Sequence, residues 1–406
     1  MFRVAITGIG AISSLGCDPD SIAESLYHGR SGIVCDPERK DLGFRSSLTG
    51  AIHGFDPDRY VNRKMRKTMT LFTVQSYAAA LQAIKQAGLE PEDLKNEKTG
   101  LVIGCDSSCL ASYEQAAITK ESKNAGGLGS GHIFRSMTSN VTMNLNVLFG
   151  TKGACWTISS ACSSGGHAVG QAAELIRNGK QEYVICGGAQ EINWQSMCGF
   201  DSLDAFSVRE DKPQEASRPF SNDRDGLVPG GGAAVIILEN YDIARQRNAT
   251  ILGEVCGYGF SSDGYNVSIP DKDGMRRAMA MAIEEAKVSP GEIDYICAHA
   301  TSTPIGDKVE AMAIDSLFGE YKPAVSSLKG MCGHELWMAG AAQVVYTTIM
   351  AKKGFTAPNV NFTGPDECSR KLDIVTDTRS APPRMALCNS AGFGGTNSSL
   401  IVRYET

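Results

Sequence analysis

The stretch CWTISSACSSGGHAVGQAAELIR, residues 155–177, carries an apolar strand pattern into a helix across a turn of small residues. Cys155–Ser159 reads as the strand and Ser164–Arg177 as the helix, with Cys162 between them. The same alternation runs outward in both directions. Further strands are expected at Val4–Thr7, Gly100–Gly104, Tyr183–Cys186, Ala233–Leu238, Gly253–Tyr258, Tyr295–His299 and Met385–Ser390. Further helices are expected at Ser21–His28, Leu71–Gln86, Met275–Ala286, Lys308–Leu317 and Ala339–Ala351. This predicts an α/β protein with sheets sandwiched between helices. Continuous apolar strands point to parallel sheets buried on both faces.

Two helices are unusually rich in small residues, GGHAVGQAA (165–173) and MAGAAQ (338–343). Helix propensity explains alanine but not glycine, which costs about 1 kcal/mol in a helix interior. Close approach of central, buried helices explains both. At 406 residues the chain has length for two domains, yet no low-complexity linker divides it. A division near Asn248–Ile251 gives halves 1–250 and 251–406, with no internal repeat by identity.

Composition narrows the function. Hydrophobic residues at 42% and charged residues at 21% are those of a globular protein. A net charge of −6 argues against general nucleic-acid binding, though not against a local basic patch. The thirteen cysteines are odd in number, and Cys162, Cys186, Cys256, Cys297 and Cys388 stand in apolar runs where a thiol packs as a small hydrophobe. A reducing, cytoplasmic setting fits them better than a disulfide scaffold. Cys105 and Cys109 form a lone CxxxC without the companions of a zinc site, so no metal is expected. Met1 leads directly into a strand pattern with no basic leader, and no apolar run has the roughly 18–20 residues of a membrane helix.

Chemistry concentrates in a few places. A cysteine opening a helix gains from the dipole and free N–H groups, which predicts a lowered pKa for Cys162; a buried packing thiol is the alternative. His299 ends a strand, and His334 lies in the glycine-bearing turn Lys329-Gly330-Met331-Cys332-Gly333-His334. Each alone reads as a structural histidine, but two beside a candidate thiol are how thiol catalysis is assembled. The run NSAGFGGTN (389–397) could turn backbone N–H groups toward an oxyanion, or simply make a tight turn needing positive φ. Thr7-Gly8-Ile9-Gly10 follows a strand like a dinucleotide loop but lacks the third glycine and the acid. The Gly230–Gly232 run lacks the Lys-Ser/Thr of a phosphate loop.

Taken together, VAITGIGAISSLG (4–16), SGI (31–33), ISSAC (158–162), SRPFSNDRDGLVPGGGAAVIILE (217–239), HATSTPIGDKVEA (299–311), KGMCGH (329–334) and NSAGFGGTN (389–397) closely resemble, in order, the β-ketoacyl-[acyl carrier protein] synthases, nearest the type I group. The resemblance covers essentially the whole chain. It implies a thiolase-type fold, two similar halves in a five-layered α/β/α/β/α core, and a homodimer. It also implies decarboxylative condensation of malonyl-acyl carrier protein with an acyl chain held on Cys162. On this resemblance His299 and His334 stabilise the enolate, and the N–H groups of Cys162 and Phe393 form the oxyanion hole. Lys329 and Glu310 support the site electrostatically, Thr301 and Thr303 hold pantetheine, and Glu310 and Gly394 count among the substrate-binding residues. No bound cofactor is implied. Arg45, Arg63, Lys64 and Lys67 match positions that would dock an acidic carrier protein, and 137–149 matches a segment near the dimer interface and acyl pocket. A thiolase would carry a second cysteine where Phe393 stands, and initiating synthases lack the second histidine. A non-catalytic, chain-length-controlling partner subunit is the alternative, against which Cys162 speaks. Two departures bear on substrate: Ala300 follows His299 where the family has glycine, and Glu335-Leu336-Trp337-Met338 replaces a small, glycine-containing stretch.

Overall fold

The computed structural model describes residues 1–405. Among them the strands are β1 (Val4–Ile12), β2 (Ile33–Cys35), β3 (Leu48–Gly50), β4 (Thr99–Gly104), β5 (Cys155–Ile158), β6 (Tyr183–Gln190), β7 (Gly232–Asn240), β8 (Gly253–Ser262), β9 (Tyr295–Cys297), β10 (Ala324–Ser326), β11 (Asp373–Ile374), β12 (Met385–Gly392) and β13 (Thr396–Arg403). β2 and β3 pair by themselves. The others form one ladder ordered β11-β10-β9-β12-β13-β8-β1-β7-β6-β4-β5.

That ladder repeats itself. Strands β5-β4-β6-β7-β1 pair parallel, parallel, antiparallel, antiparallel. Strands β10-β9-β12-β13-β8 pair in the same sequence. The two sets meet where Ala5 and Ile6 of β1 face Glu254 and Gly253 of β8. Both sheets are therefore mixed, not parallel as the apolar runs suggest. Helices cover both faces whatever the strand direction, so antiparallel β1 and β7 are buried at every residue and read like parallel strands.

Three apolar cores separate the layers. Helix Leu71–Ala87 packs on one face of the first sheet through Ala79, Ala83, Ile103, Ile185 and Val235. Helices Lys272–Ala286 and Pro304–Phe318 cover the outer face of the second through Met279, Ile314, Leu387 and Ile401. Between the sheets lie helices Ser164–Arg177 and Ala339–Lys353, packed against Val184, Ile236, Cys388 and Leu400. These are the two small-residue helices, and their glycines meet: a Cβ at Gly340 would come within 2.5 Å of the Gly166 nitrogen. The paired glycines of the nucleotide-like motif have a packing role too. A Cβ on Gly8 or Gly10 would strike the carbonyls of Ala83 or Ala79 at 2.0 and 2.1 Å.

Strands β1, β6, β7 and β8 are three to five residues longer than expected, because the sheet continues past the most apolar residues. β9 is shorter, and His299 stands two residues beyond it. All thirteen cysteines are free thiols. Among the described residues no helix is long and apolar enough to cross a membrane.

Candidate active site

Cys162 occupies the single turn Ala161–Ser163 between β5 and helix Ser164–Arg177. Ala161 adopts φ 46°, a left-handed conformation unfavourable for any residue with a Cβ. Two contacts hold it: its N–H donates to Asp106 at 3.2 Å, and its carbonyl accepts from Ser164 Oγ at 2.6 Å. The β12–β13 hairpin closes over this turn. Gly394 and Gly395 at φ 80° and 73° make its tip, and Gly392 leaves room for the nucleophile, since a Cβ there would lie 3.0 Å from the Cys162 nitrogen. The glycine run has the positive φ that the turn reading required. It makes a tight turn, and it brings the N–H of Phe393, with that of Cys162, onto the thiol sulfur.

His299 and His334 converge from separate loops, with ring centroids 5.1 Å apart and planes at 89°. Glu310, on helix Pro304–Phe318, fixes the first loop. Its carboxylate accepts the N–H of His299 at 2.9 Å, the N–H of Ala300 at 2.6 Å and the Asn389 amide at 3.1 Å. The second loop is clamped by the Pro229-Gly230 segment: His334 N–H donates to the Val228 carbonyl at 2.6 Å, and Gly230 N–H to the His334 carbonyl at 2.8 Å. Gly230–Gly232, useless as a phosphate loop, is thus a histidine support.

A cavity of about 390 Å³ opens onto Cys162, His299, His334, Thr301, Thr303 and Phe393. Thr301 and Thr303 share a hydrogen bond at 3.2 Å on its wall. Two residues expected to bind substrate are not in that wall. Glu310 is 1% exposed and lies behind His299, its oxygens already used on the backbone. Gly394 gives its N–H to the carbonyl of Val267, a residue of the cavity wall, at 2.7 Å. Arg45 pairs with Asp204 at the cavity rim, while Arg63, Lys64 and Lys67 are exposed and form no ion pair among the described residues. Residues 137–149 include helix Asn140–Phe149, with Val141 and Leu145 buried and Val147 exposed.

Electrostatics correct one expectation. The helix terminus does not leave Cys162 with a lowered pKa: burial pushes the thiol up to about 12, against the pull of Lys329 and with a further push from Asp106. Burial also holds both imidazoles well below the ordinary histidine range, and Lys329 adds to this in each. Lys329 is 4% exposed, and its ammonium makes no ion pair within 4 Å among the described residues. The resting site is therefore a neutral thiol and two neutral rings under a buried positive charge. The Lys329–Glu310 pair acts only at a distance.

Sequence reasoning missed the scaffold around the threonines. Arg224 donates to the carbonyls of Thr303 and Pro304 at 3.0 and 2.7 Å, and buried Asp307 accepts the N–H groups of Ser302 and Phe220. The signal lay in SRPFSNDRDG, whose arginines were visible but whose targets are some 80 residues away. Phe200, which stacks on Phe393 at 5.9 Å in the cavity wall, also went unread.

The chain matches the models for the N-terminal domain of beta-ketoacyl synthases over residues 1–244 and for their C-terminal domain over 252–363. It is 37% identical to 3-oxoacyl-[acyl-carrier-protein] synthase 1 of Haemophilus influenzae, covering 99% of each chain. A beta-ketoacyl synthase from Burkholderia phymatum superposes with a TM-score of 0.95 at 34% identity over the whole of both chains. A type II polyketide ketosynthase solved in complex with its acyl-carrier protein superposes at 0.91, with 29% identity over the whole of both chains. With both domain models matched in order over most of the chain and a relative 37% identical from end to end, this protein belongs to the beta-ketoacyl synthase family.

Proposed function

We propose that this chain is the elongating condensing enzyme its relatives' names describe, an acyltransferase extending an acyl chain by two carbons in fatty-acid or related biosynthesis, with Cys162 as nucleophile. The observation that carries the reading is the convergence of one buried thiol, two neutral imidazoles and two backbone N–H groups on one cavity. An acyl thioester of carrier-protein pantetheine enters past Thr301 and Thr303. Cys162 sulfur adds to its carbonyl, the C–S bond to pantetheine breaks, and the thiol proton leaves on the departing sulfur. Because the thiolate is the attacking species, the Cys162 proton must leave the sulfur as it adds, and that proton ends on the departing pantetheine sulfur.

Malonyl thioester then loses carbon dioxide. The enolate oxygen accepts hydrogen bonds from His299 and His334, which must be neutral to donate without being consumed as acids. The carbanion attacks the acyl–Cys162 carbonyl, whose oxygen is held by the N–H groups of Cys162 and Phe393. Collapse expels Cys162 sulfur, which regains a proton. Lys329 biases the charge balance, and Glu310 positions the His299 loop. None of these steps requires a bound cofactor.

Three further readings accompany this one. The halves 1–250 and 251–406 are the two structural units, supported by the repeated strand order. The protein acts as a homodimer in the cytoplasm, joined at the free edge of β5, where Trp156 is exposed, as is Val147 on the helix Asn140–Phe149 that packs against β5. Acyl carrier protein docks on Arg45, Arg63, Lys64 and Lys67. The partner-subunit alternative lacks any observation in its favour, since the nucleophile and both imidazoles are in place. Cys162→Ala decides the central claim: elongation is abolished and the mass shift of the Cys162 peptide on acylation disappears, while the fold persists. Elongation surviving within about tenfold of wild type would overturn it.

A further inference from the structure

The segment after His334 departs most from small residues, and it is built around one indole. Leu336 is 1% exposed at φ 44°, a left-handed backbone rare for a bulky side chain. Such a conformation persists only where its surroundings over-determine it. The next residue, Trp337, is 8% exposed, and its indole N–H donates to Ser107 Oγ at 3.1 Å. Ser107 in turn donates to Glu191 at 3.4 Å. Glu191 is 5% exposed and also accepts the N–H groups of Cys109 and Leu110 and the Asn193 amide, at 2.5, 3.3 and 2.8 Å. The ring is thus tied through one hydroxyl to a buried, fully engaged carboxylate.

Trp337 shares an apolar cluster with Cys162, Met197, Phe206, Leu227 and Leu336, and its ring lies 6.2 Å from that of Phe200. Phe200 and Leu336 line the cavity and Trp337 does not, so the indole stands as the layer behind them. Its backbone has no slack: a Cβ on Gly165, in the helix that follows the nucleophile, would come within 2.9 Å of the Trp337 carbonyl. Swinging the ring aside would leave its buried N–H unpartnered, which is costly in an apolar surround.

We propose that Trp337, held by Ser107 and Glu191, fixes Phe200 and Leu336 as the inner wall of the apolar pocket beside Cys162 and so sets the length of acyl chain that the thiol carries. The inference rests on the reading of Cys162 as the acyl-bearing residue. Its ligand is the hydrocarbon tail of an acyl thioester, short enough to end at the Phe200 and Leu336 side chains that the indole backs. A longer tail would have to press Phe200 and Leu336 against a ring that is hydrogen-bonded in place and whose backbone is packed against the central helix.

The test is single-turnover acylation of Cys162 by acyl-pantetheine thioesters from butanoyl to dodecanoyl, followed by intact mass, so that the malonyl step plays no part. In the wild type, the acylation rate falls steeply beyond a limiting length. Trp337→Ala moves that limit to longer chains, raising the dodecanoyl-to-butanoyl rate ratio by about tenfold or more. Ser107→Ala keeps the ring but unlatches it, and shifts the ratio the same way by less; if Trp337→Ala does not fold, this variant decides alone. A wild type indifferent to length, an unchanged ratio in the folded variants, or an equal loss at every length would overturn the proposal while leaving Cys162 as nucleophile. Absence of acylation at any length in the wild type would remove the reading of the site and this inference with it.

Discussion

Glu310→Gln tests how the His299 loop is held. The substitution keeps size and shape while changing one acceptor oxygen into a donor. In the wild type the carboxylate accepts from His299 N–H at 2.9 Å, Ala300 N–H at 2.6 Å and the Asn389 amide at 3.1 Å, in a site 1% exposed. A glutamine can satisfy one of the two backbone donors and must turn its own N–H₂ toward the other. Hydrogen bonds to charged groups contribute about 1.5–3 kcal/mol each, and a stranded buried donor costs about 1–3 kcal/mol. Against this, burial raises the Glu310 carboxyl pKa, so a neutral side chain recovers part of the desolvation penalty. The balance is a loss of about 2 kcal/mol, read as a lower denaturant midpoint at unchanged slope. Displacing the His299 ring by even 1 Å lowers malonyl decarboxylation by about 100-fold. Acyl transfer to Cys162, which uses the thiol and the two backbone N–H groups, changes little. Full decarboxylation in a folded variant, or an equal loss in both half-reactions, would refute the assignment of Glu310 to positioning.

The remaining predictions use other parts of the molecule. His299→Ala and His334→Ala each impair decarboxylation more than acyl transfer; transfer lost with decarboxylation intact would reverse the roles of the imidazoles and the thiol. Reversing Lys64 and Lys67 to Glu raises KM for acyl carrier protein steeply and leaves small acyl-pantetheine substrates nearly unaffected, with added salt mimicking the change, because exposed complementary charge acts mainly on encounter; equal loss on both substrates would mean the cluster supports the fold. Glu335, buried against Tyr346 at 2.6 Å, has its carboxyl raised from 4.5 to about 7, chiefly by burial. A raised acid contributes stability that is present below 4.5 and lost as pH climbs through about 7, so Glu335→Gln stabilises at pH 8 relative to wild type more than at pH 5; equal gains at both would show that this carboxyl is not what titrates. The two imidazoles, both depressed by burial, work in the opposite direction, their contribution being complete above 6.5 and falling as pH drops below it.

What the sequence could and could not convey follows from the range of each interaction. Strand and helix identity is written in local periodicity, which is why helix Ser164–Arg177 appears with its observed ends and Leu71–Ala87 within one residue of them. The glycines of 165–173 and 338–343 signalled close approach because nothing else justifies their cost, and the approach is between those two helices. Strand direction left no local trace, since a strand covered on both faces is apolar whichever way its neighbour runs. Cys162 and the histidines were legible as residue types in suitable turns, but the state of the thiol was not. A helix terminus promises a lowered pKa, and only the three-dimensional enclosure shows burial outweighing it. Glu310 and Gly394 lie outside the cavity lining for a related reason: a motif fixes which residues belong near a site, not which side of the backbone they face. Trp337 marks the limit most clearly. Its novelty beside His334 is visible in the sequence, but its consequence depends on Ser107 and Glu191, 230 and 146 positions away, which no local pattern connects to it. Residues that perform the chemistry are constrained by type and so can be read one at a time. Residues that choose the substrate act through packing between distant segments, and there the fold supplies what the chain alone does not.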